Sequence, residues 1–209
     1  NLLMVINKNI GRMYNNGKVF EVGQQFKGPN ENDQQMMATG IQYGSPTPLL
    51  WNQENRNSDV FDIKSDVLFV LDQLNVPINN LLHEDINKNW YHPGKSSLLR
   101  VGKFIIANYG EIHPFILQKY EIKKSVFGFE IYLDQIAQFN INKSSTKKAY
   151  EDNSLQAIER DFAFLFSKNI KGADIIQTIK KIDPQRIKKV IIFDVFENGK
   201  LIENKKSIA

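Results

Sequence analysis

The sequence predicts an α+β protein in two units: an antiparallel sheet with flanking helices, then a smaller strand-helix-strand-strand unit. Three observations carry that expectation. Apolar residues alternate with period two in segments bounded by glycine and proline turns, other segments repeat their apolar residues at helical spacing, and the stretch from Asn140 to Ser154 is polar and aperiodic. The last feature reads as a linker and places the units at residues 1–150 and 151–209.

In the first unit, Leu2, Leu3, Val5, Ile6, Ile10 and Met13 fall on one face of an opening helix. Lys18 to Phe26 alternates as a strand, Gly28 to Asp33 is a turn by composition, and Met36 to Gly44 is a second strand that pairs with the first as a meander. The Pro-containing stretch from Ser45 to Ser58 reads as a surface loop. Phe61 to Leu74 has the 3.6-residue period of an amphipathic helix, stopped by Asn75-Val76-Pro77, and is expected to pack on the sheet. Ser97 to Val101 and Phe104 to Gly110 form a hairpin, with Gly102 supplying positive φ at the turn. A helix begins near His113-Pro114, where proline suits a first turn. Phe127 to Asp134 reads as a further strand, with Phe127, Phe129, Ile131 and Leu133 on one face.

Beyond the linker, Arg160 to Phe166 is expected to be a strand, Gly172 to Ile182 a helix with Ile175, Ile176, Ile179 and Ile182 on one face, and Lys188 to Phe196 a strand. Asn198-Gly199 signals a hairpin leading to a last strand at Lys206-Ser207-Ile208. This order is the first part of a split βαβ, ferredoxin-like unit without its second helix and final strand. Such a unit exposes apolar surface and an unpaired strand, so weak stability or repacking beyond about Leu155 is expected, with weak nucleic-acid binding. The chain enters directly into an apolar helix at Asn1 and stops within a strand, and it reads as a fragment.

Composition narrows the chemistry. With 209 residues the chain can bury a substantial core, and no apolar run approaches the roughly 20 residues of a membrane span. Cysteine is absent, which excludes disulfides and fits a reducing compartment, the cytoplasm by default. The net charge is only +4, but between Lys168 and Lys189 the basic residues Lys168, Lys171, Lys180, Lys181, Arg186, Lys188 and Lys189 face only Asp174 and Asp183. A phosphate-attracting surface and a solvated helix face both explain that excess.

Two runs hold two of the three histidines: Trp90-Tyr91-His92-Pro93-Gly94-Lys95 and Gly110-Glu111-Ile112-His113-Pro114; the third is His83. Proline after each histidine restrains the preceding backbone, so both sit at rigid element boundaries. No metal-ligand spacing, nucleophile elbow or phosphate loop accompanies them, and a structural role is the better reading. No catalytic and no metal-binding residues are expected.

Taken together, Val19-Phe20-Glu21-Val22-Gly23, Phe61-Asp62-Ile63-Lys64, the two histidine runs, Glu159-Arg160-Asp161-Phe162-Ala163-Phe164, Ile192-Phe193-Asp194-Val195-Phe196 and Gly199 followed by Lys205-Lys206-Ser207 resemble the beta subunit of bacterial phenylalanyl-tRNA synthetase. The resemblance covers nearly the whole chain; Gln156 stands where the family often has proline. It implies a class II synthetase-like antiparallel module without catalytic residues, followed by part of a ferredoxin-fold anticodon-binding domain. It also implies an alpha subunit that carries the active site in an α2β2 assembly, tRNA as a partner, and a cytoplasmic ligase that uses ATP and magnesium. The family's magnesium-binding acidic cluster belongs to an upstream domain, so no cofactor is expected on this chain.

Within the resemblance, Lys168 to Lys189 is where phosphate contacts are expected, since lysine and arginine supply most non-specific affinity. Trp90, His92, Pro93, Gly94, Gly110, Glu111, His113 and Pro114 are expected to be structural, as are Arg160 and Asp161, read as a pair fixing a strand start rather than contacting RNA. Phe162, Phe164 and Phe166 could stack bases, though period-two phenylalanine more often belongs to a core. Two other readings stand beside this one. An autonomous class II-like enzyme would need arginines for ATP, and Arg12, Arg56 and Arg100 are the only ones before the linker. An interaction module outside translation would use exposed apolar helices, which also make a homodimer of the isolated chain plausible.

Overall fold

The computed structural model describes residues 1–30, 33–48, 50–52, 54–86, 88–140, 156–197 and 204–209. The chain divides into two compact units, Asn1–Ser145 and Thr146–Ala209.

In the first unit the elements run α1 (Leu2–Gly11), β1 (Gly17–Phe26), β2 (Gln34–Tyr43), α2 (Val60–Gln73), β3 (Leu82–Glu84), β4 (Tyr91–Val101), β5 (Phe104–Ile112), α3 (Pro114–Lys119), β6 (Val126–Tyr132) and α4 (Leu133–Asn140). The six strands form one sheet in the order β1-β2-β6-β5-β4-β3, every neighbouring pair antiparallel. The first two strands pair as the expected meander, and the β4–β5 hairpin turns at Gly102 with φ +57°.

Register decides which side chains share a face, because alternate residues point to opposite sides of a sheet. Ala38, Ile131 and Ala107 lie in one row and Tyr109 opposite Phe129 in the next. This face carries α2, whose Ile63, Val67 and Leu71 are fully buried against it. On the other face Ile41 and Tyr43 oppose Gly128 and Val126, and there Ile6 of α1 and Leu117 of α3 complete a second core. Helix α2 starts cleanly: the Asp59 carboxylate accepts from the Phe61 and Asp62 amides, and the Asp62 side chain accepts from the Asp59 amide, a reciprocal cap worth about 1 kcal/mol.

Three sequence expectations are corrected. Strand β6 ends at Tyr132, and Leu133 opens α4 rather than continuing the alternation. The Asp134 carboxylate accepts from the Met36 amide of β2 at 2.7 Å, which holds that residue in a helical first turn. In the second unit, β7 spans Phe164–Ser167, so Arg160 to Ala163 precede it without regular structure. Strand β8 is only Val195–Phe196; Lys188 to Asp194 lack strand structure, although the Phe193 and Asp194 amides donate to the Ala209 carbonyl.

The rest of the second unit is α5 (Gly172–Ile182) and β9 (Lys205–Ile208). Strand β9 lies between β7 and β8 and is antiparallel to both, so β7 and β8 run parallel on either side of it, with α5 between them in sequence. That is a split βαβ arrangement. Phe162, Phe164, Leu165, Phe193, Val195 and Phe196 are exposed, while Ile175 and Ile208 are buried. The linker from 141 to 154 and the Asn198-Gly199 turn lie outside the described residues, as do Glu31 and Asn32 of the expected Gly28–Asp33 turn.

Candidate functional site

The seven basic residues between Lys168 and Lys189 fall into two groups set apart by α5. Lys168 and the N-cap residue Lys171 stand at its start, while Lys180 and Lys181 occupy its last turn, with Arg186, Lys188 and Lys189 just beyond. An 11-residue helix is about 16 Å long, so these side chains line two ends of an edge rather than one cluster. Lys180 is half-buried and the other six are exposed. Asp183 closes the helix: its Oδ1 accepts from the Gln185 and Arg186 amides at 3.2 and 3.0 Å, and its Oδ2 lies 3.7 Å from the Arg186 guanidinium. The local acid is thus used in a turn that presents Arg186, Lys188 and Lys189 to solvent.

Arg160 and Asp161 are exposed and precede β7. The rings of Phe162, Phe164 and Phe166 form a row, with centroids 6.0 and 6.1 Å apart. Phe164 pairs with Ile208, which is buried, and Ile208 also pairs with Val195, so the row lies on the side of the sheet where an apolar core residue is covered.

In the first unit the two histidine runs meet at the junction of β4 and β5. Tyr91 pairs with Ile112 and Ser96 with Gly110, so His92 to Lys95 bulge out against the single residue Glu111. The bulge is locked from within. His92 Nδ1 accepts from the Gly94 amide at 3.1 Å, the His92 carbonyl accepts from the Ser96 hydroxyl at 2.8 Å, and Lys95 Nζ reaches Glu111 at 2.7 Å. A side chain at Gly110 would place its Cβ 2.7 Å from the Lys95 carbonyl, so this crossing requires glycine. Pro93 and Gly94 occupy the exposed tip of the bulge.

Across the junction His113 caps α3, its Nδ1 accepting from the Phe115 amide at 3.2 Å while Pro114 fills the first helical position. The His113 amide donates to the Trp90 carbonyl at 2.9 Å, and the two imidazoles stack with centroids 6.5 Å apart. Both imidazoles therefore commit Nδ1 to backbone amides. Glu111, 5% exposed, also accepts from the Ser125 hydroxyl at 2.8 Å.

A second polar group escapes sequence reasoning. Lys88 Nζ lies 2.8 Å from Glu130, 2.7 Å from the Tyr132 hydroxyl and 4.5 Å from the Trp90 ring centroid, and Asn108 donates to both Glu130 and Tyr132. Burial pulls the Lys88 ammonium down, but Glu130 and Tyr132 outweigh it and the net shift is upward. The residues come from separate strands and a loop; the only sequence signal is that Glu130 and Tyr132 occupy the alternation complementary to Phe127, Phe129 and Ile131. Trp90, Tyr91 and Glu130 border a cleft of about 290 Å³.

The carboxylates of both groups are engaged internally, Glu111 by Lys95 and Ser125 and Glu130 by Lys88 and Asn108. Of the arginines considered for ATP, Arg56 is held by Asp62 at 2.6 Å and Arg100 by Glu84 at 3.0 Å, while Arg12 is exposed at the end of α1. Among the described residues no group of three His, Cys, Asp or Glu is placed to hold a metal ion, and no helix is long and apolar enough to cross a membrane.

Two family models match. One, described as the phenylalanyl tRNA synthetase beta chain CLM domain, covers residues 1–133; the other, described as the ferredoxin-fold anticodon binding domain, covers residues 154–209. The phenylalanine-tRNA ligase beta subunit of Rhodospirillum rubrum is 32% identical over 209 residues, which is 100% of this chain and 26% of that protein. That of Ehrlichia ruminantium is 33% identical over 213 residues, with the same coverage. The chain thus spans about a quarter of the length of the curated relatives it matches. A solved pyrrolysyl-tRNA synthetase from Desulfitobacterium hafniense aligns over 67% of this chain and 47% of its own, at 17% identity and TM-score 0.49.

Proposed function

The chain belongs to the phenylalanyl-tRNA synthetase beta chain family, and from that premise we propose that it is a non-catalytic, structural and tRNA-binding portion of a phenylalanine-tRNA ligase. The observation that carries this is the coincidence of the anticodon-binding family match with a split βαβ unit whose helix is flanked by exposed lysines and Arg186. Backbone phosphates are met by such side chains irrespective of sequence, which gives register and affinity before any base is read.

In this reading the chemistry, with its ATP and magnesium, resides in an alpha subunit of an α2β2 cytoplasmic enzyme, and this portion alone does not activate phenylalanine. The engagement of Arg56, Arg100, Glu111 and Glu130 in internal ion pairs supports that inactivity. The first unit serves as scaffold. Its edge strand β1 exposes Phe20, Val22 and Phe26, apolar surface suited to a subunit interface or, in isolation, to a second copy.

The test is a titration of tRNA specific for phenylalanine at several salt concentrations. Binding whose affinity falls steeply with salt is expected; no binding even at low salt would overturn the tRNA-binding role.

A further inference from the structure

We propose that the cleft between α2 and the Gly94–Ser97 stretch of β4 is a binding site for a small oxyanion, a phosphate or carboxylate group, held by the Lys64 ammonium with Lys95 in support. The cleft measures about 170 Å³, far above the roughly 10 to 15 Å³ that one water needs. Lys64 enters from the helix and Lys95 from the bulge, with Val60, Phe61 and Tyr109 forming apolar walls.

Lys64 is the odd cation of its neighbourhood. Lys18 is paired with Asp66, Arg56 with Asp62 and Lys95 with Glu111, each within 2.7 Å. Lys64 is half-buried and, among the described residues, has no hydrogen-bond or ion-pair partner; burial alone acts on its ammonium and holds it below the ordinary lysine value. A partly desolvated, unpaired charge is costly, and an anion entering the cleft removes that cost. The nearby carboxylates cannot do so: Asp59 and Asp62 cap α2 and hold Arg56, and Glu111 is taken by Lys95 and Ser125. Lys95 has donor capacity left, since an ammonium carries three protons and its side chain is 55% exposed. The bulge therefore has a use beyond joining two strands, because it brings Lys95 to the same cleft that Lys64 lines.

The experiment is an amide-resolved NMR titration of this chain with inorganic phosphate and, separately, acetate, at fixed ionic strength. Saturable shifts at Lys64 and at Gly94 to Ser97 are expected, and the tighter arm identifies the preferred oxyanion. K64Q should weaken binding at least about tenfold and K64R should retain it, while K123Q, at an exposed lysine outside the cleft, leaves it unchanged. Absence of saturable shifts at these amides with both anions, or equal binding by K64Q, would overturn the proposal.

Discussion

Glu111 shows how a single buried carboxylate can hold a junction together. Burial pushes its carboxyl up, but Lys95 and the Ser125 hydroxyl favour the ionised form and the net shift is downward. A carboxyl depressed in the folded state contributes stability above its unfolded value, about 4.3, and that contribution disappears as pH falls through the folded value. E111Q should therefore lower stability by about 1 to 3 kcal/mol at pH 7. The gap from the parent should narrow on acidification below about pH 4, as read by urea unfolding at each pH. A gap that stays constant down to about pH 3 would mean that the charge of Glu111 contributes nothing. The sequence places Glu111 in a structural run, and proline after His92 and His113 signals rigid boundaries. Which atoms the histidines use for that rigidity emerges only when β4 and β5 pair, because His92 and His113 are 21 positions apart in the chain and adjacent in the fold.

Elements with a full period of their own are legible from sequence; elements defined by a distant partner are not. Strands β1, β2 and β5 and helix α2 each carry enough alternation or helical spacing to fix type and position, whereas β4, expected from Ser97, already starts at Tyr91 ahead of the bulge. The end of β6 is hidden because Leu133 continues the period-two pattern into a helix that Asp134 anchors to Met36. Phe162 likewise extends the alternation of β7, yet the ladder runs only from Phe164 to Ser167 against the four residues of β9. Strand β3, at three residues, is too short to show any period. The β4–β5 crossing makes its own prediction: G110A drives a Cβ against the Lys95 carbonyl and should cost about 1 to 3 kcal/mol, seen as a lowered denaturant midpoint. An unchanged midpoint would show that the bulge yields freely. At α5 the expected outcome is electrostatic. Replacing Lys181, Lys188 and Lys189 one at a time by glutamine should each weaken tRNA binding without changing the fold, and should reduce the salt slope by about one unit for each phosphate left without its cation. Slopes equal to the parent's would place the RNA elsewhere.

At the scale of the whole molecule, the two units present different surfaces. The first buries both faces of most of its sheet and exposes apolar residues along the edge strand β1, including Phe20 at 77% exposure. The second offers a short sheet, a basic helix end and exposed phenylalanines. Charge runs and strand order make the second unit's class readable, and the family matches agree with it. The Lys88, Glu130, Tyr132 and Asn108 group is not readable, since its members converge only across strands that meet in the folded sheet. The scaffold role is tested most directly by mixing this chain with the alpha subunit of a bacterial phenylalanyl-tRNA synthetase and reading the mass by light scattering. A stoichiometric complex is expected; two peaks at the masses of the separate components would contradict the account.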